Sequence, residues 1–200
     1  DALAELLLVD YLKHNPLALT PDRLARQVRK VRERRLQAYL GKTLRDCTAF
    51  AVRRSWRRFC AVVRAELESI GALLATPDAA LAAQPLLKDG GSSTVGRTAV
   101  QGRELVIKRY NIKGIGHWLK RFWRPSRAWH SWLAAHRLQF LGIATPAPLA
   151  MIEQRFGPLR HRAWLITVYC AGVDLLQQLG EDGQQLPEPE IEKALLALFE

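Results

Sequence analysis

The chain has 200 residues, 48% of them hydrophobic, with 30 Lys or Arg against 19 Asp or Glu and a formal net charge of +11. That length suffices for one well-buried domain or a domain with an appendage, and the charge selects anionic partners: nucleic acid, phospholipid headgroups or a phosphorylated ligand. Three cysteines without C-x-x-C spacing argue against a disulfide framework or a zinc site, and the apolar runs are broken by Pro and Asp well short of the ~20 residues of a spanning helix.

Reduced thiols in a cytoplasmic protein are the simplest reading, and no cleavable signal pattern is visible, so the chain is expected to be soluble or peripheral. It opens on Asp1 and stops inside the amphipathic run "EIEKALLALFE" without a glycine or proline stop, which predicts a fragment of something longer.

Residues 1–13 carry leucines at helical spacing; "HNPLALTPDR" then supplies proline stops and a helix start, with Thr20 as N-cap and Pro21 in the first turn. From Asp22 to Arg64 there are fourteen Lys or Arg and three acids, in the runs "RLARQVRKVRERRLQAYL" and "AVRRSWRRFCAVVRAELESI". Apolar stripes through Leu24, Val28, Val31, Leu36 and Leu40, and through Phe50, Trp56, Phe59, Cys60 and Val63, predict two amphipathic basic helices. After "TPDAALAAQP" the texture changes. The short β-branched runs "STVGRTAV" and "ELVIKRY", separated by "QG", predict a β-hairpin. A helix is expected from Pro125 or Ser126 to Leu141, stopped by Gly142, followed by strands in "PLAMIEQRF" and "RAWLITVYC" and a final helix from Pro189.

The candidate chemistry lies in "KDGGSSTVGR" and the lysine that closes "LVIK". A turn that cradles phosphate needs backbone N–H groups free to approach it, and a lysine pins phosphates without steric bulk. Gly90 and Gly91 permit close backbone approach, Ser92, Ser93 and Thr94 offer hydroxyl donors, and Val95 is placed to cover a flat base. Lys108 would stand on the third strand.

The segments "LLKDGGSSTV", "LVIKRYN", "RPSRAWHSWLAAHRLQFLGIATPAPLA" and "RAWLITVYCAGVDLL" resemble, in order and over about half the chain, the lipopolysaccharide core kinases of Gram-negative bacteria, the InaA-type heptose- and Kdo-kinase-like group. The resemblance implies an α+β, protein-kinase-like small lobe: a five-stranded antiparallel sheet plus one helix over residues 81–179, including the hinge. A basic helical extension over 1–80 would precede it, and the start of a helical large lobe over 180–200 would follow. It also implies ATP and Mg2+ as cofactors, a lipopolysaccharide core precursor as acceptor, and a place at the cytoplasmic face of the inner membrane.

Carried over residue by residue, Lys108 would contact the α and β phosphates and the Gly90–Val95 turn would cover them. Thr167 would guard the pocket, backbone groups of Val168 and Cys170 would meet adenine, and Asp174 would reach a ribose hydroxyl. The glycine pattern is matched at Gly90 and Val95, with Lys88 and Ser93 at its other two glycine positions. Where these kinases carry a helix glutamate that pairs with the strand lysine, "SRAWHSWLAAHRLQFLGI" has no acid, and Ser131 falls at the expected position. The catalytic-loop Asp, its Asn and the metal-binding Asp are expected after Glu200, so this chain by itself is expected to bind nucleotide weakly and not to catalyse.

Six tryptophans include Trp118 and Trp123, whose neighbours Lys120, Arg121 and Arg124 make a patch suited to an anionic membrane surface, whereas Trp129 and Trp132 are expected in the core. The basic helices raise nucleic-acid binding as a competing reading, ranked below membrane because no nucleic-acid-binding signature accompanies them. A non-catalytic pseudokinase or membrane-binding module is the main alternative to the enzyme. The five histidines lack ligand spacing, and Cys47 and Cys60 read as structural thiols.

Overall fold

The computed structural model describes residues 6–7, 10–11, 13–14, 21–83, 86–111 and 124–172. It divides into two compact units, residues 1–39 and 40–200. Helix α1 (Pro21–Lys42) begins at the proline that the sequence marks, with Asp22 in its first turn and Lys42 in its last, the charge order that suits a helix dipole. Of the predicted apolar stripe, Val28 and Val31 stay exposed while Leu36 is buried. Thr20, the patch of Trp118 and Trp123, Asp174 and the final helix from Pro189 lie outside the described residues.

The second unit is built on one antiparallel sheet. Its strands are β1 (Phe50–Arg54), β2 (Arg58–Val63), β3 (Leu86–Gly90), β4 (Ser93–Val100), β5 (Arg103–Tyr110), β6 (Pro148–Phe156) and β7 (Leu159–Val168). Their spatial order is β1-β2-β6-β7-β5-β4-β3. The α+β class holds, but the sheet has seven strands rather than the five expected. The two additional strands fall where the second basic helix was predicted, so residues 50–63 are not helical. The apolar residues there obey a period of two as well as a period near 3.6. Phe50 pairs with Val63 and Arg54 with Phe59, which puts Ala51 and Val62 on one face and Phe50 and Phe59 on the other. The arginines gather at the strand ends, where long side chains reach past the sheet into water.

The β4–β5 turn and the long helix after it follow the sequence. Gln101 and Gly102, at φ 50° and 77°, make the tight β4–β5 turn that needs two residues of positive φ. Helix α4 (Arg127–Phe140) is capped by Ser126, whose hydroxyl accepts from Trp129 N at 3.1 Å, and Gly142 follows its end at φ 76°.

Both faces of the sheet are packed. On one face Leu105, Ile107, Ile152, Trp164 and Ile166 meet Leu73 and Leu74 of α2 (Gly71–Ala75) and Leu81 of α3 (Pro77–Ala82). Gly96 lets Leu81 pack close there, since a Cβ would lie 2.7 Å from Leu81 Cδ1. Asp78, in the first turn of α3, ties the face together by accepting from Trp164 Nε1 at 3.0 Å and Arg109 Nη1 at 3.2 Å. On the other face, α4 lays fully buried Trp132 and His136 against Phe50, and half-buried Trp129 against Phe59 at 5.2 Å between ring centres. Trp132 is thus core as expected; Trp129 stays at the boundary, under the guanidinium groups of Arg155 and Arg160.

One buried carboxylate anchors this helix. Glu153, 0% exposed on β6, accepts from Ser126 Oγ and is paired with Arg155 at 2.5 Å and Arg160 at 3.8 Å. A buried acid is tolerable when cations and a hydroxyl satisfy it, and here those partners fix where α4 begins.

Candidate functional site

The sheet register decides which residues share a surface. Val95 lies opposite Lys108, which lies opposite Leu165; one row along, Val106 lies opposite Thr167. Side chains alternate along a strand, so Val95, Val106, Lys108, Thr167 and Tyr110 occupy one face. It is the face of α4, because Tyr110 shares a hydrogen bond with Ser131 of that helix, Oη to Oγ 2.8 Å. The first four are half-buried, an apolar wall with one cation projecting from it. Val106, two residues before Lys108, was not singled out in the sequence; the alternation of β5 was the signal that could have found it.

The Gly90–Ser93 turn is held from below. Asn111 donates from its backbone N–H to Ser92 O at 3.2 Å and from Nδ2 to Gly90 O at 3.0 Å, and Arg127 reaches Ser92 O at 3.0 Å from the first turn of α4. These bonds tie down turn carbonyls, which would repel an anion. Neither Gly90 nor Gly91 has positive φ, and a Cβ on Gly91 would meet nothing within 4 Å. The turn conformation therefore makes no demand for glycine at Gly91; the open space beside it is what a glycine there preserves.

The hydroxyls are not equivalent. Thr94 is buried and its Oγ1 donates to Asp89 at 3.1 Å while accepting from Asn111 at 3.1 Å and Arg109 at 3.3 Å. It builds the turn rather than facing outward as a donor, which corrects the expectation that it adds a hydroxyl to phosphate. Ser93 is buried on the Tyr110 side, opposite Tyr110 in the register; Ser92 sits at the turn itself.

Electrostatically the neighbourhood is cationic. Lys108 Nζ and the Arg127 guanidinium approach the Tyr110 ring at 5.4 and 5.1 Å, and Lys88 is the cross-strand partner of Val95 on its other side. Among the described residues no carboxylate lies within 4 Å of Lys108. The position expected to hold an orienting acid is occupied by Ser131, already engaged with Tyr110. Burial pushes the Tyr110 phenol above its ordinary range, against the opposing pull of the Ser131 bond and the Arg127 charge.

At the end of β7, Val168 donates its N–H to Ala147 O and Tyr169 donates to Glu104 O, both at 2.9 Å. The Tyr169 carbonyl and the Cys170 N–H make no such backbone bond to another described residue. Cys170 is exposed. Among the described residues no cluster of three or more His, Cys, Asp or Glu could hold a metal ion. A cavity of about 600 Å³ lies away from Lys108, on the opposite face, between Arg53, Arg58 and Cys60 on one side and Leu67 and Leu74 on the other. Burial pushes the Cys60 thiol up despite Arg58 and Arg53, which leaves it a poor nucleophile.

No protein-family model and no curated protein matches the chain. Among solved structures, WaaP in complex with acyl carrier protein aligns with 60% of this chain at 25% identity and a TM-score of 0.40. The alignment spans 45% of that protein's own length. No helix among the described residues is long and apolar enough to cross a membrane.

Proposed function

We propose that residues 86–179 form the nucleotide-binding lobe of an ATP-dependent kinase that phosphorylates a sugar of the lipopolysaccharide inner core. The observation that carries this reading is the common face of Val95, Val106, Lys108 and Thr167, bordered by the carbonyl-tied turn at Gly90–Ser93. In that arrangement Lys108 and Arg127 neutralise phosphate charge, the N–H side of the turn covers it, and the valines and Thr167 hold a flat base. Backbone groups of Val168 and Cys170 read the edge of that base, with Asp174 on the ribose. Electrostatic positioning of this kind is most of what a protein contributes to phosphoryl transfer. Mg2+ would supply further positive charge at the phosphates.

The domain plan follows from this reading: residues 180–200 begin a helical lobe that supplies the catalytic carboxylates, and the acceptor is a core precursor at the cytoplasmic face of the inner membrane. Ser131 in place of an acid favours one second reading, a lobe that binds nucleotide without turning it over. Transfer from γ-labelled ATP to lipopolysaccharide core separates them. The natural polypeptide that carries this lobe labels the core sugar, and Lys108→Ala removes the label while the protein stays folded; binding without label would leave the non-catalytic reading standing, and unchanged labelling by Lys108→Ala would remove Lys108 from the chemistry.

A further inference from the structure

At one end of the sheet two hairpin tips present exposed aromatic residues side by side. Trp56, between β1 and β2, is 65% exposed and Phe156, at the end of β6, is 63% exposed. Exposing one such ring is ordinary; exposing two in contact, 6.1 Å between centres, makes an apolar patch that water penalises. The tips are laced together by backbone bonds, Gly157 N to Trp56 O at 2.9 Å and Arg155 N to Arg57 O at 2.8 Å. Gly157, at φ 60°, leaves the space that the indole occupies, since a Cβ there would lie 2.8 Å from Trp56. The pair is thus rigid, and no folding requirement explains its projection.

The cations around it are equally particular. Arg53, Arg54 and Arg57 are exposed, and among the described residues none has a carboxylate within 4 Å. Arg53 lies on one face of the sheet and Arg54 on the other, where its guanidinium sits 5.4 Å from the Phe59 ring centre. The acid at this end, Glu153, is buried and spent on Arg155 and Arg160. The aromatic pair is therefore flanked on both sides by uncompensated positive charge.

We propose that these joined tips, Trp56 and Phe156 with Arg53, Arg54 and Arg57, are a docking surface for an anionic lipid bilayer. The rings enter at headgroup depth and the guanidinium groups take lipid phosphates, with the strands pointing into the membrane plane. Single-stranded nucleic acid is the competing occupant of a basic aromatic surface. It stacks on ring faces set along a groove, whereas these rings meet edge to face, at 71°, on a convex tip. The surface stands independently of the kinase reading, since it shares no residue with the Lys108 site.

The test is sedimentation of the chain with phosphatidylcholine vesicles and with equimolar phosphatidylcholine and phosphatidylglycerol vesicles. Since the chain is basic elsewhere, tip variants decide the outcome. Arg53→Gln, Arg54→Gln and Arg57→Gln together weaken partitioning onto the anionic vesicles about a hundredfold, near fivefold per arginine. Phe156→Ser weakens it roughly tenfold with its near-ultraviolet dichroism otherwise preserved. Brominated lipid quenches wild-type emission more than that of Trp56→Phe. Partitioning unchanged in both variants, quenching equal in wild type and Trp56→Phe, or loss in these variants of oligonucleotide binding but not of vesicle binding would each overturn the proposal.

Discussion

Two hairpin ends at the same end of one sheet have opposite chemistry. The β3–β4 turn, Gly90 to Ser93, carries small residues, its carbonyls tied down by Asn111 and Arg127, with cations set back on neighbouring strands and helix. The β1–β2 and β6–β7 tips carry Trp56 and Phe156, with arginines alongside. Nothing in the strand register dictates the difference, since both ends are antiparallel hairpins. Under the two proposals made above, side-chain bulk sorts two kinds of anion. A recessed, donor-rich turn suits a phosphate that must approach the backbone, and a projecting amphipathic tip suits a surface that the protein must approach.

Removing the acid that lies between them acts on both ends at once. Glu153→Ala leaves Arg155 and Arg160 without their buried partner and frees Ser126 at the start of α4. A loss of about 3–5 kcal/mol of stability is expected in denaturant unfolding. A loss under about 1 kcal/mol would show that the carboxylate is not the anchor described here.

A second test acts on the helix that faces Lys108. His136 is 2% exposed, and burial lowers its pKa from the ordinary 6.5 to about 4 despite a hydrogen bond with Gln139. The unfolded chain takes up this proton near pH 6.5 and the folded chain only near 4, so stability is full above that window and falls as pH drops through it, by about 3 kcal/mol in all. Unfolding midpoints measured across the window check this, and His136→Phe removes that part of the slope.

Smaller effects separate turn from tip. Asn111→Ala deletes the bond to Gly90 O and another to Thr94, and is expected to cost about 1 kcal/mol while raising exchange rates of the turn amides. The amides of residues 55–58 should be unaffected. Gly91→Val changes stability by less than about 0.5 kcal/mol, because its side chain enters open space. It should nevertheless weaken nucleotide binding, and a variant that binds as well as wild type would mean that the open space has no occupant.

Much of this was legible in the sequence. Strands β4 to β7, the "QG" turn, the start of α4 near Ser126 and the Gly142 stop all carry local signals whose physics is local. Strands β1 and β2 were not legible, because arginine-rich ends around "FAV" and "FCAVV" mimic a basic amphipathic helix until a partner strand, β6, supplies the pairing. The inward bonding of Thr94 and the engagement of Ser131 with Tyr110 were hidden for the same reason: both depend on residues that only the fold brings near.

The central claim is that the turn and Lys108 form a nucleotide site. An amide-resolved NMR titration of this chain with ATP tests it directly, even where affinity is weak. The account predicts progressive shifts at Gly91, Ser92, Lys108 and the Val168–Cys170 link, abolished by Lys108→Ala. Shifts confined to Arg53–Arg58, or none at the turn and link, would contradict it.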